Sequence, residues 1–320
     1  MIKAEVRQEP ALTGSAAGTP RGFVRYAKAV LVFNVAVALW GAYVRASGSG
    51  AGCGNHWPLC NGEVTPHSPA IATIIEFTHR ATSGIGLLAV AVLLLWSFRA
   101  FPRRHPARLA AVLSMVFVFS EALIGAALVL LGHVEKNASV TRAYSLSTHL
   151  INTLTLLACL TLTVRFASGR PIPTLRGRAL WLAALSLGVV VLLGVSGAVA
   201  ALGDTLFPST SLAAGLAQDW DPSANIFLRL RGLHPLLAVA AAGWLLYYAV
   251  SNAARNRSVR TEAWMVVGCV GVQLVAGATN LLLLAPVWTQ LLHLLLAYVL
   301  WVSLVRLCAS LLTNPRFAGC

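Results

Sequence analysis

Four histidines lie inside long apolar stretches of this chain, one in each stretch: His79, His149, His234 and His293. Each lies in the first third of its stretch, and stretches with a histidine alternate with stretches that have none. An imidazole in hydrocarbon is unfavourable without a partner, so histidines in such positions are candidates for function. A single one is more often a hydrogen-bonded packing residue, but four in matched positions favour ligation. Arranged as two pairs, they resemble two sets of axial ligands for haem iron.

The composition excludes an ordinary soluble protein. The 320 residues are 58% hydrophobic with a mean hydropathy of +0.75, and only 11% are charged. Soluble domains are about 25% charged. The net charge of +14 does not indicate nucleic-acid binding, because the arginines fall in short clusters between apolar runs. Such clusters are typical of the loops that set the topology of a membrane protein.

Eight apolar runs reach the ~20 residues that a helix needs to cross a bilayer. They are approximately 25–45, 72–98, 109–131, 142–166, 179–202, 227–250, 262–284 and 289–311. The first follows a polar leader without a small-residue cleavage site, which predicts a retained span. We therefore predict an all-α polytopic membrane protein with eight transmembrane helices.

The arginine distribution predicts the orientation in the membrane. One set of loops contains Arg21, Arg25, Arg99, Arg103, Arg104, Arg108, Arg165, Arg170, Arg176, Arg178, Arg255, Arg257 and Arg260. Between its helix ends, the opposite set is nearly free of basic residues apart from Lys136, and it contains Glu63, Asp204, Asp219 and Asp221. This bias predicts a multi-pass protein of the plasma (inner) membrane with both termini cytoplasmic.

The two halves of the chain contain similar segments in the same order. Gly41-Ala42-Tyr43-Val44 resembles Gly197-Ala198-Val199-Ala200, the segment from Ser120 to Gly125 resembles that from Val272 to Gly277, and Thr148-His149-Leu150 parallels Leu292-His293-Leu294. Such similarity indicates duplicated bundles related by pseudosymmetry. We predict a disordered cytoplasmic leader (1–24), an N-terminal four-helix bundle (25–166), a cytoplasmic linker (167–178), a C-terminal four-helix bundle (179–311) and a cytoplasmic tail (312–320).

The topology places all four imidazoles at one depth. Each lies about 5–10 residues into a span that runs from outside to inside, which is roughly 8–15 Å below the outer surface. His79 can then face His149 in the first bundle, and His234 can face His293 in the second. The two sites lie side by side near the outer face. This differs from an electron wire of the cytochrome b type, which stacks two haems across the bilayer.

Two acidic residues in the first half could assist chemistry. Glu76 precedes His79 by three residues and shares its helix face, so it could donate or accept protons beside a haem. The alternative is an interfacial carboxylate paired with Arg80 or Arg142. The second half has Arg231 three residues before His234, which suggests chemistry in the first half and a supporting role for the second.

Glu121 and its counterpart Gln273 lie near mid-span, and we interpret them as hydrogen-bonding groups around the ligands. Five arginines at outer helix ends could bind haem propionates or, equally, lipid headgroups. They are Arg45, Arg80, Arg142, Arg229 and Arg231.

Only Cys53 and Cys60 share a loop among the six cysteines. That loop faces the oxidising side in the predicted topology, which favours a disulfide over a zinc site. The pair could be structural or could carry redox equivalents, and both alternatives stay open. Cys159, Cys269 and Cys308 lie in spans and are expected to act as small apolar fillers.

Taken together, these segments resemble the haem A synthase family over residues 25–311. The resemblance rests on Gly41 to Gly48, the Cys53–Cys60 loop, Glu76-Phe77-Thr78-His79-Arg80, Thr148-His149, Leu233-His234-Pro235 and His293. It implies oxidation of the C8 methyl of haem O to a formyl group by successive hydroxylations, giving haem A for terminal oxidases. It also implies that His79 and His149 hold the substrate haem with Glu76 assisting, and that His234 and His293 ligate a resident haem b.

Some bacterial members have a second cysteine pair in the third outer loop, and residues 204–225 of this chain contain none. A mechanism that needs two disulfides is therefore in doubt here. The expected partners are haem O as substrate, an unidentified electron-transfer partner and the lipid bilayer. The haem O-forming farnesyltransferase and oxidase assembly factors are further candidates. A di-haem electron-transfer cytochrome and a transporter of another ligand are the alternative functions.

Overall fold

The computed structural model describes residues 20–67, 69–135 and 137–313. These parts contain nine α-helices: α1 (Arg21–Ala46), α2 (Ile71–Ala100), α3 (Pro106–Leu130), α4 (Val140–Ala167), α5 (Gly177–Leu206), α6 (Leu212–Trp220), α7 (Ile226–Arg255), α8 (Arg260–Leu282) and α9 (Val287–Leu311). Eight of them are long and apolar enough to cross a membrane. No strand occurs in these ranges beyond an isolated bridge between Cys60 and Glu63.

The predicted all-α architecture with eight membrane helices is confirmed, since each predicted span overlaps one long helix along nearly its whole length. The short helix α6 was not predicted. It is nine residues long, which is too short for the span criterion, and Ser211 caps it by accepting a hydrogen bond from the Ala214 amide. The predictions for residues 1–19, Lys136 and residues 314–320 lie outside the described residues.

The helices pack as two sets that share a central seam. In the first set α1 contacts α2 and α4, and α3 contacts both α2 and α4. In the second set α7 contacts α5 and α8, and α9 contacts both α8 and α5. The sets meet where α4 and α9 touch each other and where α1 and α5 join them, so α4 and α9 are the most buried helices. The pseudosymmetry of the two sets and the domain boundaries stay predictions.

The hydrophobic core follows the same division. One cluster of buried residues is built from α1 to α4 around Phe23, Val90 and Leu160. The other is built mainly from α5 and α7 to α9, around Leu245, Val266 and Leu304, and also includes residues of α4. Because apolar side chains also cover the outside of the bundle, the helices bury only part of their apolar surface against one another.

All four histidines lie towards the same end of the helix bundle. We call it the histidine end; it carries the loops 47–70, 131–139, 207–225 and 283–286. Each histidine lies six to nine residues after the first residue of its helix, which is about 9–14 Å along the axis. Pro20 and Thr313 lie at the opposite end, with the short loops 101–105 and 168–176. Which end faces the cytoplasm stays a prediction.

Candidate functional site

Each of the four histidines packs against a glycine of a neighbouring helix. The pairs are His79 with Gly41 of α1, His149 with Gly125 of α3, His234 with Gly197 of α5, and His293 with Gly277 of α8. A Cβ atom added to these glycines would lie 2.9, 4.0, 3.0 and 3.1 Å from the imidazole Cε1, in the same order. The first of these distances is too short for a real side chain, and those at Gly197 and Gly277 would require the imidazole to shift by a few tenths of an ångström. The missing side chain therefore lets the ring lie against the helix backbone.

The two members of each predicted histidine pair lie in one helix set. His79 of α2 and His149 of α4 belong to the first set, and His234 of α7 and His293 of α9 belong to the second. The prediction of two pairs at one level is consistent with this geometry, and iron ligation stays a prediction.

His234 has a defined hydrogen-bond partner. Its Nδ1 lies 2.9 Å from the Ser196 hydroxyl, which itself donates to the Leu193 carbonyl at 2.8 Å. Because the serine proton is already used, the hydroxyl accepts from Nδ1–H of His234. The Nε2 atom then keeps its lone pair, which is the form that ligates a metal.

His293, the other member of the second pair, faces a neutral amide. Gln273 Nε2 lies 3.2 Å from His293 Nε2 and donates to the His293 carbonyl, also at 3.2 Å. The buried Nδ1 of His293 has no hydrogen-bond partner among the described residues. The sequence-based interpretation of Gln273 as a hydrogen-bonding group beside this histidine agrees with these contacts.

The first pair has a different environment. The Nδ1 atoms of His79 and His149 are buried and lack a hydrogen-bond partner among the residues that the structure describes. Glu121 Oε1 lies 3.6 Å from His149 Nδ1. This is beyond normal hydrogen-bond length. Unsatisfied Nδ1 atoms thus occur in both pairs, and what distinguishes the first pair is the nearby carboxylate of Glu121.

Glu76 anchors a loop. It is 3% exposed, and its carboxylate accepts hydrogen bonds from the Arg80 guanidinium and from the Cys53 amide at 2.8 Å. Arg80 also donates to the carbonyls of His56 and Leu59, each at 2.6 Å. These contacts correspond to the alternative of a carboxylate paired with Arg80. Participation of Glu76 in proton transfer stays a prediction.

The predicted disulfide between Cys53 and Cys60 is present, with both cysteines buried. Its loop lies directly on the start of α2. The Gly52 carbonyl accepts from the Thr73 hydroxyl at 2.7 Å, and a Cβ at Gly52 would lie 2.4 Å from the Ala72 backbone. The loop is thus fixed about two helical turns from His79 along α2.

The loop before α7 is fixed by charge. The Arg231 guanidinium, 12% exposed, forms ion pairs with Asp219 at 2.7 Å and with Asp204 at 3.2 Å. It also donates to the Gly215 carbonyl at 3.3 Å, so it joins α6 to α5 and α7. Sequence reasoning missed this cluster. The sequence feature that could have predicted the cluster is a group of acidic residues in a loop, followed by an arginine inside an apolar span.

Four of the five outer arginines have protein partners. Arg45 of α1 donates to the Ala201 carbonyl at 2.9 Å, to Thr205 at 2.7 Å and to Gln290 at 2.9 Å, which joins the two helix sets. Arg142 donates to backbone carbonyls of its own loop, and Arg80 and Arg231 are paired as described. Only Arg229 of the five is exposed, so it is the one most available to a propionate or a headgroup.

The site fits haem better than a metal ion bound by side chains alone. Within the described ranges, no three His, Cys, Asp or Glu side chains converge as a zinc site would require. Axial ligation of a haem needs only two imidazoles at each iron. Each helix set contains two histidines that could supply these ligands through Nε2, and haem binding stays a prediction.

Eight helices that are long and apolar enough to cross a membrane define a polytopic, all-α membrane protein. The sequence profile of the COX15-CtaA family, described as cytochrome oxidase assembly protein, matches residues 24–305. The chain therefore belongs to this family, and the resemblance to the haem A synthase family is confirmed.

Individual relatives carry two kinds of name. The chain is 50% identical over 291 residues to a protein of Thermus thermophilus named protoheme IX farnesyltransferase, covering 90% of this chain and 48% of that protein. It is 37% identical over 139 residues to a heme A synthase of Halalkalibacterium halodurans, covering 43% of this chain and 45% of the relative. It is 45% identical over 96 residues to a heme A synthase of Bacillus mycoides, covering 30% and 31%. The chain thus spans about half or less of the length of these curated relatives.

Proposed function

We propose that this protein is a haem A synthase, a membrane oxidoreductase that converts haem O to haem A. The observation that carries the proposal is the set of four glycine–histidine contacts in two pairs, within a chain of this family. The reaction is oxidation of the C8 methyl of haem O to a formyl group by successive hydroxylations. The relatives named heme A synthase support this reaction.

In this proposal the two pairs have different roles. His79 and His149 hold the substrate haem, and His234 and His293 hold a resident haem b. Haem iron supplies the electron and oxygen chemistry when it is bound, and the protein supplies orientation and electrostatics. Gly41 and Gly197 allow the rings of His79 and His234 to approach the neighbouring helix, and Ser196 holds His234 in the tautomer that leaves Nε2 free.

Glu76 has two parts in the proposal. It fixes the disulfide loop through Arg80 and the Cys53 amide. As a buried carboxylate about one helical turn from His79, it is also the group we assign to proton transfer at the substrate site. Whether the Cys53–Cys60 pair only holds the loop or also carries electrons is separable by experiment, because the loop contacts of Glu76 and Arg80 do not involve the sulfur atoms.

The membrane setting determines the partners. Haem O is apolar enough to enter from the bilayer between helices, and electrons must pass to or from a partner protein. We place the haem sites near the outer face of the plasma membrane and both termini in the cytoplasm. The Thermus relative named farnesyltransferase is about twice as long as its matched part. This supports a haem O-forming farnesyltransferase as the source of the substrate.

The test is the pyridine haemochrome spectrum of the purified protein and of two variants, His79→Ala and His234→Ala. Wild type should contain haem b with some haem O or haem A. His79→Ala should lose the haem O and haem A while keeping haem b, and His234→Ala should lose haem b. If both variants lose only haem b, the protein is a di-haem cytochrome. If wild type binds no haem when haem supply is adequate, the ligand assignment fails.

A further inference from the structure

Glu121 and Gln273 occupy corresponding places beside two of the histidines. Glu121 precedes Gly125 by four residues on α3, and Gln273 precedes Gly277 by four residues on α8. Each of these glycines packs on the histidine of the following long helix, His149 or His293. The same place on the helix therefore holds a carboxylate in the first half and a neutral amide in the second.

The carboxylate of Glu121 is held in a defined position. Oε2 accepts a hydrogen bond from the Asn152 amide, and Oε1 accepts one from the Thr153 hydroxyl. Asn152 is fixed in turn, since its Oδ1 accepts from Ser120 at 2.6 Å and its amide also donates to the Phe117 carbonyl at 2.9 Å. These groups direct Oε1 towards His149, whose Nδ1 lies 3.6 Å away without another partner among the described residues.

We propose that Glu121 is a positioning residue for His149 that makes the first haem site more reducing than the second. The inference rests on the proposed function, because it requires His149 to ligate iron through Nε2. Ligation through Nε2 leaves the proton on Nδ1. A movement of about half an ångström then brings Nδ1–H within hydrogen-bond distance of the Glu121 carboxylate.

The physical reason is the charge of the acceptor. A histidine ligand that donates to a carboxylate becomes a stronger electron donor to its metal, because the outer partner raises its basicity. Stronger donation stabilises the oxidised iron and lowers the reduction potential of the haem. Gln273 cannot have this effect on His293, since it is a neutral amide that faces Nε2 of that ring, and Nδ1 of His293 has no partner among the described residues. Ser196 beside His234 is also neutral.

The experiment removes the charge of Glu121 or withdraws it from the histidine. Glu121→Gln gives the first site the neutral residue found in the second, and Glu121→Asp keeps the charge on a side chain that is one methylene shorter. Glu262→Gln is the matched control, since it removes a carboxylate from the first turn of α8, at the other end of that helix from Gly277. The full-length proteins are loaded with haemin, and the midpoint potential of each haem is measured by spectroscopic redox titration. The first-site haem is the component missing from His79→Ala.

Glu121→Gln should raise the first-site potential and leave the second-site potential unchanged. Glu121→Asp should raise the first-site potential by a smaller amount, and Glu262→Gln should change neither potential. The inference is overturned if haem is bound and the first-site potential of Glu121→Gln equals that of wild type. If Glu121→Gln no longer holds the first haem, Glu121→Asp decides, and an unchanged first-site potential in that variant overturns the inference. Failure of wild type itself to bind haemin would instead overturn the proposed function.

Discussion

The two halves of the molecule hold a loop over a histidine-bearing helix by different chemistry. In the first half the loop is closed by the Cys53–Cys60 disulfide and fixed to α2 by Glu76 and Arg80. In the second half Arg231 binds Asp204 and Asp219, and the short helix α6 replaces the disulfide loop. Within one molecule, a disulfide with a carboxylate–guanidinium contact and a cluster of ion pairs thus each attach a loop to a histidine-bearing helix.

The contacts deeper in the helices differ less. All four histidines keep a glycine beside the ring, and what changes is the polar partner of the ring nitrogens. The second pair has the neutral partners Ser196 and Gln273, whereas the first pair has the carboxylate of Glu121. Unsatisfied Nδ1 atoms occur in both pairs. Shape is thus similar in the two halves while charge is not. This is the pattern expected if one site performs chemistry and the other holds a resident cofactor.

Among substitutions that remove a difference between the two halves, the largest expected effect is on catalysis. Glu76→Gln should lower the yield of haem A on the order of 10²- to 10⁴-fold, the range for loss of a general acid or base, while both haems stay bound. The measurement is haem A formed per bound haem, by chromatography of extracted pigments. Glu63→Gln, in the exposed part of the same loop, is the control. Unchanged haem A formation would show that Glu76 serves only as an anchor.

The second effect is on stability, in the half without the disulfide. Arg231→Met leaves Asp204 and Asp219 without their half-buried cation, which should lower the free energy of unfolding by about 1–3 kcal/mol. We expect a lower unfolding temperature in detergent and faster proteolysis within 207–225, with the first loop unaffected. Arg229→Met is the matched control, because Arg229 lies half a turn away and is exposed. Equal behaviour of the two variants would contradict a fixing role for the cluster.

The third expected effect is on haem binding, and it distinguishes the two proposed haem sites by steric contacts alone. Gly41→Ala should weaken haem binding at the first pair, and Gly197→Ala should do so at the second, since the added methyl would meet an imidazole at 2.9 or 3.0 Å. Overpacking of this kind costs about 1–3 kcal/mol, or roughly ten- to a hundredfold in affinity. The measurement is haem content by site.

Two further variants are controls for that prediction. Gly125→Ala should have little effect, because the added methyl would lie 4.0 Å from Cε1 of His149, an ordinary van der Waals distance. Gly188→Ala, at a helical glycine of α5 with nothing within 4 Å, should be neutral or slightly stabilising. Loss of haem in either variant would show that any added methyl disturbs these helices, whatever its distance from a histidine.

The smallest expected effect is the pH dependence of two exposed loop carboxylates, and it should be alike in both halves. A hydrogen bond from His67 lowers the pKa of the exposed Glu63, and hydrogen bonds from Ser223 lower the pKa of the exposed Asp221. A lowered pKa in the folded protein means that each contact stabilises its loop above the ordinary carboxyl pKa. That stabilisation is lost as the pH falls through the lowered value. Carboxyl NMR shifts during an acid titration should show this in both loops, and haem content at neutral pH should be the same in Glu63→Gln and Asp221→Asn.

Much of the fold followed from local sequence. The eight spans were predictable because length and hydropathy decide whether a helix can cross a bilayer. The glycines of the repeated segments, such as Gly41 and Gly197, were also visible in the sequence. Their contact with the histidines was not, because it depends on how two helices are rotated against each other.

Helix α6 and the Arg231 cluster escaped prediction for a related reason. A nine-residue helix has a weak periodic signal, and its stability here comes from tertiary contacts. The ion-pair partner of Glu76 could not be predicted for the same reason. Both Arg80 and Arg142 were candidates from the sequence, and the packing of the disulfide loop on α2 places Arg80 beside Glu76.

By itself, the sequence determined an all-α membrane protein with eight long helices, four histidines at one level and a disulfide loop, because each of these depends on hydropathy, spacing or a short segment. Only the tertiary structure decided which glycine faces each imidazole, which ring nitrogen has a partner, and that Arg45 joins the two helix sets. These features depend on helix rotation and side-chain rotamers. They are fixed when the helices pack, since many combinations of rotation and rotamer satisfy the same apolar pattern along a single helix.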